Sequence, residues 1–167
     1  MGFEKIIVIG SPGAGKSKFA RKLCSITGLP LHYLDMLWYK PDRTHVSREE
    51  FDEKLEEILD TAKWIIDGNY QRTLERRLQM CDTVFLLDYP LEQCLAGAEE
   101  RVGVKREEMP WVEESFDDDF RQWIIDFPQI QLPQIYSLLF QYKQGRDIII
   151  LKSRAETEEY IESLMQP

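Results

Sequence analysis

The sequence predicts a three-layer α/β/α fold around a five-stranded parallel sheet, and three observations carry that expectation. Short, β-branched apolar runs recur along the chain, of the kind buried on both faces of a parallel sheet. Segments of helical periodicity separate them, as right-handed crossovers require. The first run ends in a glycine-rich turn that leads straight into a helix.

The elements follow in order. Lys5-Ile6-Ile7-Val8-Ile9 reads as the first strand and stops at Gly10. Phe19, Ala20, Leu23 and Cys24 then recur at helical spacing until Gly28 and Pro30 end the pattern. Leu31 to Leu34 is a brief second strand before Asp35 and a loop holding Pro41. Ser47 and Glu50 form a capping box for a helix buried through Phe51, Leu55, Ile58, Leu59 and Ala62. Trp64-Ile65-Ile66 runs into Asp67-Gly68 as the third strand, and Val84 to Leu87 runs into Asp88 as the fourth. A basic helix with Arg72, Arg76 and Arg77 lies between them. Pro90 suits a first helical turn, followed by a stripe of Leu91, Cys94, Leu95, Ala98 and Val102 that Gly103 ends. Phe116, Phe120, Trp123, Ile124 and Phe127 predict one more helix, and Pro133 to Gly145 a separate one. Ile148 to Leu151 is the fifth strand, and Ser153 with Glu156 caps a last helix carrying Tyr160, Ile161 and Leu164.

At 167 residues the chain is expected to form one domain over 1–167, with a small lid around 101–127. Its net charge of −9, from 21 basic and 30 acidic side chains, argues against a nucleic-acid partner. The longest apolar stretches are too short for a membrane span, and the first residues carry no signal-peptide pattern, so a cytoplasmic location is expected. Cys24, Cys81 and Cys94 include no Cys-x-x-Cys pair and read as reduced, buried thiols. His32 and His45 have no partner spacing for a metal or a triad. Glu113, Glu114, Asp117, Asp118 and Asp119 read as the solvated start of a helix.

The chemistry centres on Gly10-Ser11-Pro12-Gly13-Ala14-Gly15-Lys16-Ser17, a Gly-x-x-x-x-Gly-Lys-Ser pattern between a strand and a helix. Its glycines allow inward-turned backbone N–H groups to cradle phosphate, and the helix N-terminus adds a positive dipole end. Lys16 suits the β- and γ-phosphates of a bound nucleotide, and the Ser17 hydroxyl suits Mg²⁺. The GTPase pattern Asn-Lys-x-Asp is absent, which tilts the nucleotide toward ATP. A parallel sheet binds ligands outside the carboxyl ends of its strands, where Asp35, Asp67 and Asp88 would gather. Each could serve hydrated Mg²⁺, a substrate hydroxyl, or a helix cap. Asp88 resembles a Walker B carboxylate acting on Mg²⁺ through water. Arg72 and Arg76, four apart, suit either capture of an anionic acceptor group or a solvated basic face. Arg101, Lys105 and Arg106 sit where a mobile cover would bring charge to a transferring phosphoryl group.

These residues resemble the small P-loop kinases related to adenylate, cytidylate and shikimate kinases, and within them the DNA topology modulation proteins. The likeness covers nearly the whole chain. It is carried by Gly10 to Ser17, Leu34-Asp35-Met36-Leu37-Trp38, Trp64 to Thr73 and Val84 to Pro90, with Trp-x-x-Asp-Gly-Asn-Tyr the most specific pattern. It implies a P-loop NTPase fold with strand order 2-3-1-4-5. Asp67 to Thr73 is similar to the Asp-Gly-Phe-Pro-Arg-Thr stretch of adenylate kinases with one residue inserted. That implies an Asp67 near Mg²⁺ and an Arg72 on the acceptor's phosphate. Leu34-Asp35-Met36 is similar to the acceptor-side strand end of cytidylate and shikimate kinases, which implies that Asp35 faces substrate. Unlike those relatives, the helix after Asp88 holds no arginine before Arg101.

The expected activity is ATP-dependent phosphoryl transfer to a small acceptor: a nucleotide, a nucleoside or a small alcohol. Lys16 and Mg²⁺ would stabilise the transferring group, Asp35 and Asp67 orient acceptor or metal, and Arg101 or Arg106 close over it. The alternatives are a nucleotide-dependent regulatory or DNA-topology-associated protein without kinase activity, and a nucleotide binder that has lost catalysis.

Overall fold

The computed structural model describes residues 2–167. Its five strands are β1 (Lys5–Gly10), β2 (Leu31–Tyr33), β3 (Trp64–Asp67), β4 (Thr83–Leu87) and β5 (Asp147–Leu151). All pair in parallel in the order β2-β3-β1-β4-β5. Central β1 sets Ile7 against Ile66 of β3 and against Val84 of β4. The helices are α1 (Lys16–Thr27), α2 (Leu34–Trp38), α3 (Arg48–Leu59), α4 (Gln71–Met80), α5 (Leu91–Glu100), α6 (Asp118–Gln141) and α7 (Arg154–Met165).

Strand alternation divides the interior into two cores. Ile7, Ile9, Ile66, Val84 and Leu86 face α3, α4 and most of α6. Ile6, Val8, Ile65, Phe85 and Leu87 face α1, α5 and α7. Both faces of the sheet are therefore covered, which is why its strands read as continuous apolar runs. The Ser47 and Ser153 hydroxyls accept from the amides of Glu50 and Glu156, each at 3.1 Å, as the capping sequences predict.

Four boundaries differ from the sequence expectation. Helix α3 ends at Leu59 and leaves Ala62 exposed beyond it. The chain after β2 forms the short helix α2 instead of a loop, because Leu34 is fully buried and draws the turn onto the core. Helix α5 stops at Glu100, and Gly103, at φ 76°, instead donates its amide to the Glu113 carbonyl at 2.7 Å to start a long excursion. The two helices expected between Phe116 and Gly145 are one, α6, with Pro128 and Pro133 inside it. An interior proline costs about 3 kcal/mol. Buried Ile124, Phe127, Leu132, Ile135 and Leu139 offset that cost, and the helix passes from one core to the other.

Candidate active site

The loop from β1 to α1 is shaped by contact as much as by conformation. Gly10 has φ 145°, and a Cβ there would stand 2.2 Å from the Leu87 carbonyl oxygen. A Cβ on Gly13 would stand 2.0 Å from the carbonyl oxygen of Cys94 on α5. Gly15, at φ 89°, caps α1 in the left-handed region with no side-chain cap, so the first amides of the helix have no intrahelical acceptor. Unsatisfied, aligned amides at a helix start are an anion site. Gly97 on α5 makes the reciprocal contact, its absent Cβ lying 2.0 Å from the Gly13 carbonyl oxygen. Gly97→Ala is therefore expected to push α5 off the loop and cost about 1–3 kcal/mol, read as a lower thermal midpoint.

Strand ends bring the acids to this loop. Asp67 closes β3, is only 5% exposed, and accepts from the Ser17 hydroxyl at 2.5 Å through Oδ2. Burial pushes its carboxyl up to about 6, although Lys16 and the Ser17 hydroxyl oppose the shift. Its Oδ1 is buried without a hydrogen-bond partner. Lys16 reaches the Ser11 carbonyl at 3.3 Å, and burial lowers its pKa against the attraction of Asp67. Asp35, in the first turn of α2, accepts from the Tyr70 hydroxyl at 2.7 Å, and burial raises its pKa. Together they line one cavity of about 1330 Å³.

The Asp67–Tyr70 segment ties the two acids to the loop. Asn69 accepts from the Gly10 amide at 3.0 Å and donates to the Gly10 carbonyl at 2.8 Å. Tyr70 takes φ 34°, ψ 64°, a costly conformation for an aromatic residue. Arg77 holds it there. Its fully buried guanidinium donates to the carbonyls of Gly68 (2.9 Å), Asn69 and Tyr70 (3.2 Å), and burial brings its pKa down to about 9. The sequence reading missed Arg77, Asn69 and Tyr70 as site residues. One signal was present: Arg77 lies three residues after Leu74 and four after Thr73, on the buried face of α4.

Arg72 and Arg76 lie on the outer face of the same helix. Each is bidentate to a carboxylate of α3: Arg72 to Asp52 (2.7 and 3.1 Å), and Arg76 to Glu56 (2.8 and 2.9 Å). Neither lines the cavity, so the solvated-face alternative describes them. Asp88 is also outside it: its Oδ2 accepts from Lys152 Nζ at 2.7 Å and the Tyr136 hydroxyl at 2.6 Å. The carboxylate at the Ser17 hydroxyl is Asp67.

Residues 101–117 cross the cavity mouth. Arg101 lines it with its Nε buried and unpartnered, its guanidinium over the Phe120 ring. Arg106 pairs with Glu108 (3.0 Å) and Glu113 (3.2 Å). Glu108, 4% exposed, also takes Arg21 of α1 at 2.9 Å and so fastens the segment to the body. Of the acidic run read as a solvated helix start, Asp117 does cap α6, accepting from the Asp119 amide at 2.7 Å. Glu113 and Glu114 instead line the cavity. Glu108→Ala leaves Arg21 without its carboxylate and Arg106 with Glu113 alone, and amide exchange over 101–117 is expected to quicken by at least about tenfold.

No protein-family model matches the chain. Over 88 residues, 51% of its length, it is 31% identical to an adenylate kinase of Thermotoga petrophila, and it spans only 39% of that relative. A shikimate kinase from Acinetobacter baumannii in complex with shikimate superposes with a TM-score of 0.61 at 16% identity, over 98% of this chain and 92% of that one. A shikimate kinase from Bacteroides thetaiotaomicron gives 0.58, also at 16%, over 98% and 97%. The fold is that of the P-loop kinases. Within that fold, the Lys16 loop faces the ends of β2 and β3, as a ligand crevice in a parallel sheet requires. Among the described residues no helix is long and apolar enough to cross a membrane.

The P-loop also fits Mg²⁺. Ser17 and Asp67 offer hard oxygen donors, and Asp67 Oδ1 is buried without a hydrogen-bond partner among the described residues. Among the described residues no three His, Cys, Asp or Glu side chains form a metal cage. Mg²⁺ in phosphoryl-transfer sites is held mainly by substrate phosphates and water, with one or two protein oxygens.

Proposed function

We propose that the chain is an ATP-dependent phosphotransferase that moves the γ-phosphoryl group to a small hydroxyl acceptor, with residues 101–117 as its lid; the wider lid expected over 101–127 ends where α6 enters the cores at Ile124 and Phe127. One observation carries this reading. Three buried side-chain polar atoms lack a partner among the described residues, and two of them, Asp67 Oδ1 and Arg101 Nε, belong to residues that line the cavity that holds Lys16. Buried unpaired groups are costly, and a site built to meet a charged ligand explains why they persist.

The roles follow from the geometry. The α1 amides and Lys16 bind the donor phosphates, and Lys16 favours the charge that develops on the leaving oxygens. Ser17 and Asp67 would hold Mg²⁺, which when bound neutralises phosphate charge. Asp35 takes the proton of the acceptor hydroxyl, and its burial gives it a basicity above that of a free carboxylate. The Tyr70 hydroxyl fixes its orientation. Arg101 meets the transferring group, while Arg106, through Glu108 and Glu113, keeps the lid shut and excludes water. The desolvated cluster of Lys16, Asp35 and Asp67 favours chemistry over the regulatory, DNA-associated reading.

Incubating the protein with Mg·ATP labelled in the γ position and a metabolite panel tests the proposal. Labelled phosphate is expected on one acceptor class. ATP binding with no transfer to any acceptor would leave only a nucleotide binder.

A further inference from the structure

The region of the cavity beyond the phosphate loop is built from the ends of α2 and α4, the crossing segment and α6. Asp35, Tyr39, Tyr70, Gln71, Trp111 and Gln131 line it. Tyr39 meets Trp111 edge-on with ring centroids 4.9 Å apart, so the wall is aromatic and carries neutral hydrogen-bonding groups at intervals. Such a wall suits a ring that stacks and presents hydroxyls.

The guanidiniums of Arg43 and Arg106 are already engaged. Arg43 lies 3.8 Å from Glu114 and over the Trp111 ring. Arg106 is held by Glu108 and Glu113. Arg72 and Arg76, which would be the fork for an acceptor phosphate, are locked to Asp52 and Glu56 outside the cavity. The cavity lysines Lys18, Lys22 and Lys105 are exposed, and the first two sit on α1 behind the phosphate loop. Arg101 lines the same cavity with its Nε buried and unpartnered and its guanidinium over the Phe120 ring, and the proposed function assigns it to the transferring phosphoryl group. An anionic acceptor would have to displace a carboxylate from Arg43 or Arg106, draw Arg101 away from the donor, or rely on solvent-exposed Lys105, and it would sit beside Asp35, Glu113 and Glu114. Like-charge juxtaposition of that kind suppresses the wrong partner.

Building on the kinase reading, we infer that the acceptor is an uncharged, hydroxyl-bearing ring compound, a sugar, cyclitol or nucleoside, and that the site rejects phosphorylated or carboxylated acceptors. In the step, the acceptor O–H bond breaks and its proton passes to Asp35. The acceptor oxygen bonds the γ-phosphorus as the bond from that phosphorus to the β–γ bridging oxygen breaks. The products are ADP and a phosphate monoester, and Asp35 releases the proton to solvent.

The test pairs neutral acceptors with anionic counterparts of the same skeleton: aldoses with uronic acids, cyclitols with hydroxylated ring carboxylates, nucleosides with their 5′-monophosphates. ADP release and product mass are read with Mg·ATP and the full chain. The expected result is turnover of one neutral member with kcat/KM at least about 100-fold above its anionic counterpart. Whether the sugar, cyclitol or nucleoside arm responds identifies the source of the ring. Trp111→Ala is expected to raise KM for that acceptor at least about tenfold while leaving KM for ATP unchanged. Equal or better turnover of an anionic counterpart overturns this inference and leaves the kinase reading intact. No transfer in any arm overturns the kinase reading, and this inference with it.

Discussion

Lys16→Met is expected to lower phosphoryl transfer by about 10³-fold or more while the protein stays folded. Preorganised charge aimed at a developing anion is commonly worth that much in a dry site, and Lys16 is the cation that the proposed function sets on the donor phosphates. The fold should tolerate its loss, because burial already lowers the Lys16 pKa, which marks the ammonium as a burden on the empty site. Transfer rates and thermal midpoints measured together decide the matter: activity falls while the midpoint holds or rises. Arg72→Ala and Arg76→Ala are the matched controls. Each breaks an exposed ion pair worth up to about 1 kcal/mol, and transfer should stay within about twofold of wild type. A large activity loss in either control would put those arginines back on the acceptor and count against their assignment to the α3–α4 surface.

The contrast between Lys16 and the two arginines shows which parts of the site are legible in a sequence. Gly10 to Ser17 is local: strand, turn and helix start are adjacent, and each glycine answers to a φ or a contact within that unit or against the strand and helix beside it. Asp35 and Asp67 are legible for a related reason, since each follows an apolar strand and parallel strands end at one edge. The roles of Arg72, Arg76 and Arg77 depend on how α4 rotates against α3 and the sheet. Three basic residues within six positions look alike until packing chooses one to bury. Asp88 illustrates the same limit. It ends a strand like the others, but Lys152 and Tyr136, brought by β5 and α6, occupy it. Pro128 and Pro133 mislead by obeying a local rule that the two cores override.

Asp67→Asn should produce the opposite pairing of effects to an ordinary active-site lesion, abolishing transfer while stabilising the nucleotide-free protein at neutral pH. Burial raises the Asp67 carboxyl from 3.8 to about 6, so the folded state binds this proton more tightly than the unfolded chain does. The stability Asp67 contributes is then fully present below about pH 4 and is lost as pH rises through about 6. At pH 7 the ionised, half-satisfied carboxylate costs on the order of 2–3 kcal/mol, which in a domain of this size is several degrees of thermal midpoint. Asparagine can still accept from the Ser17 hydroxyl, and it carries no charge to desolvate. Its midpoint should exceed wild type by several degrees at pH 7–8, and the gap should close near pH 4. A variant less stable than wild type at every pH would show that the attraction between Asp67 and Lys16 outweighs the desolvation of the acid. Saturating Mg·ATP should reverse the order at pH 7, since the charge that costs stability in the empty site is the one the ligand requires. On the proposed function, the unpartnered Asp67 oxygen is thus a stability cost to the protein alone that binding of the donor should relieve.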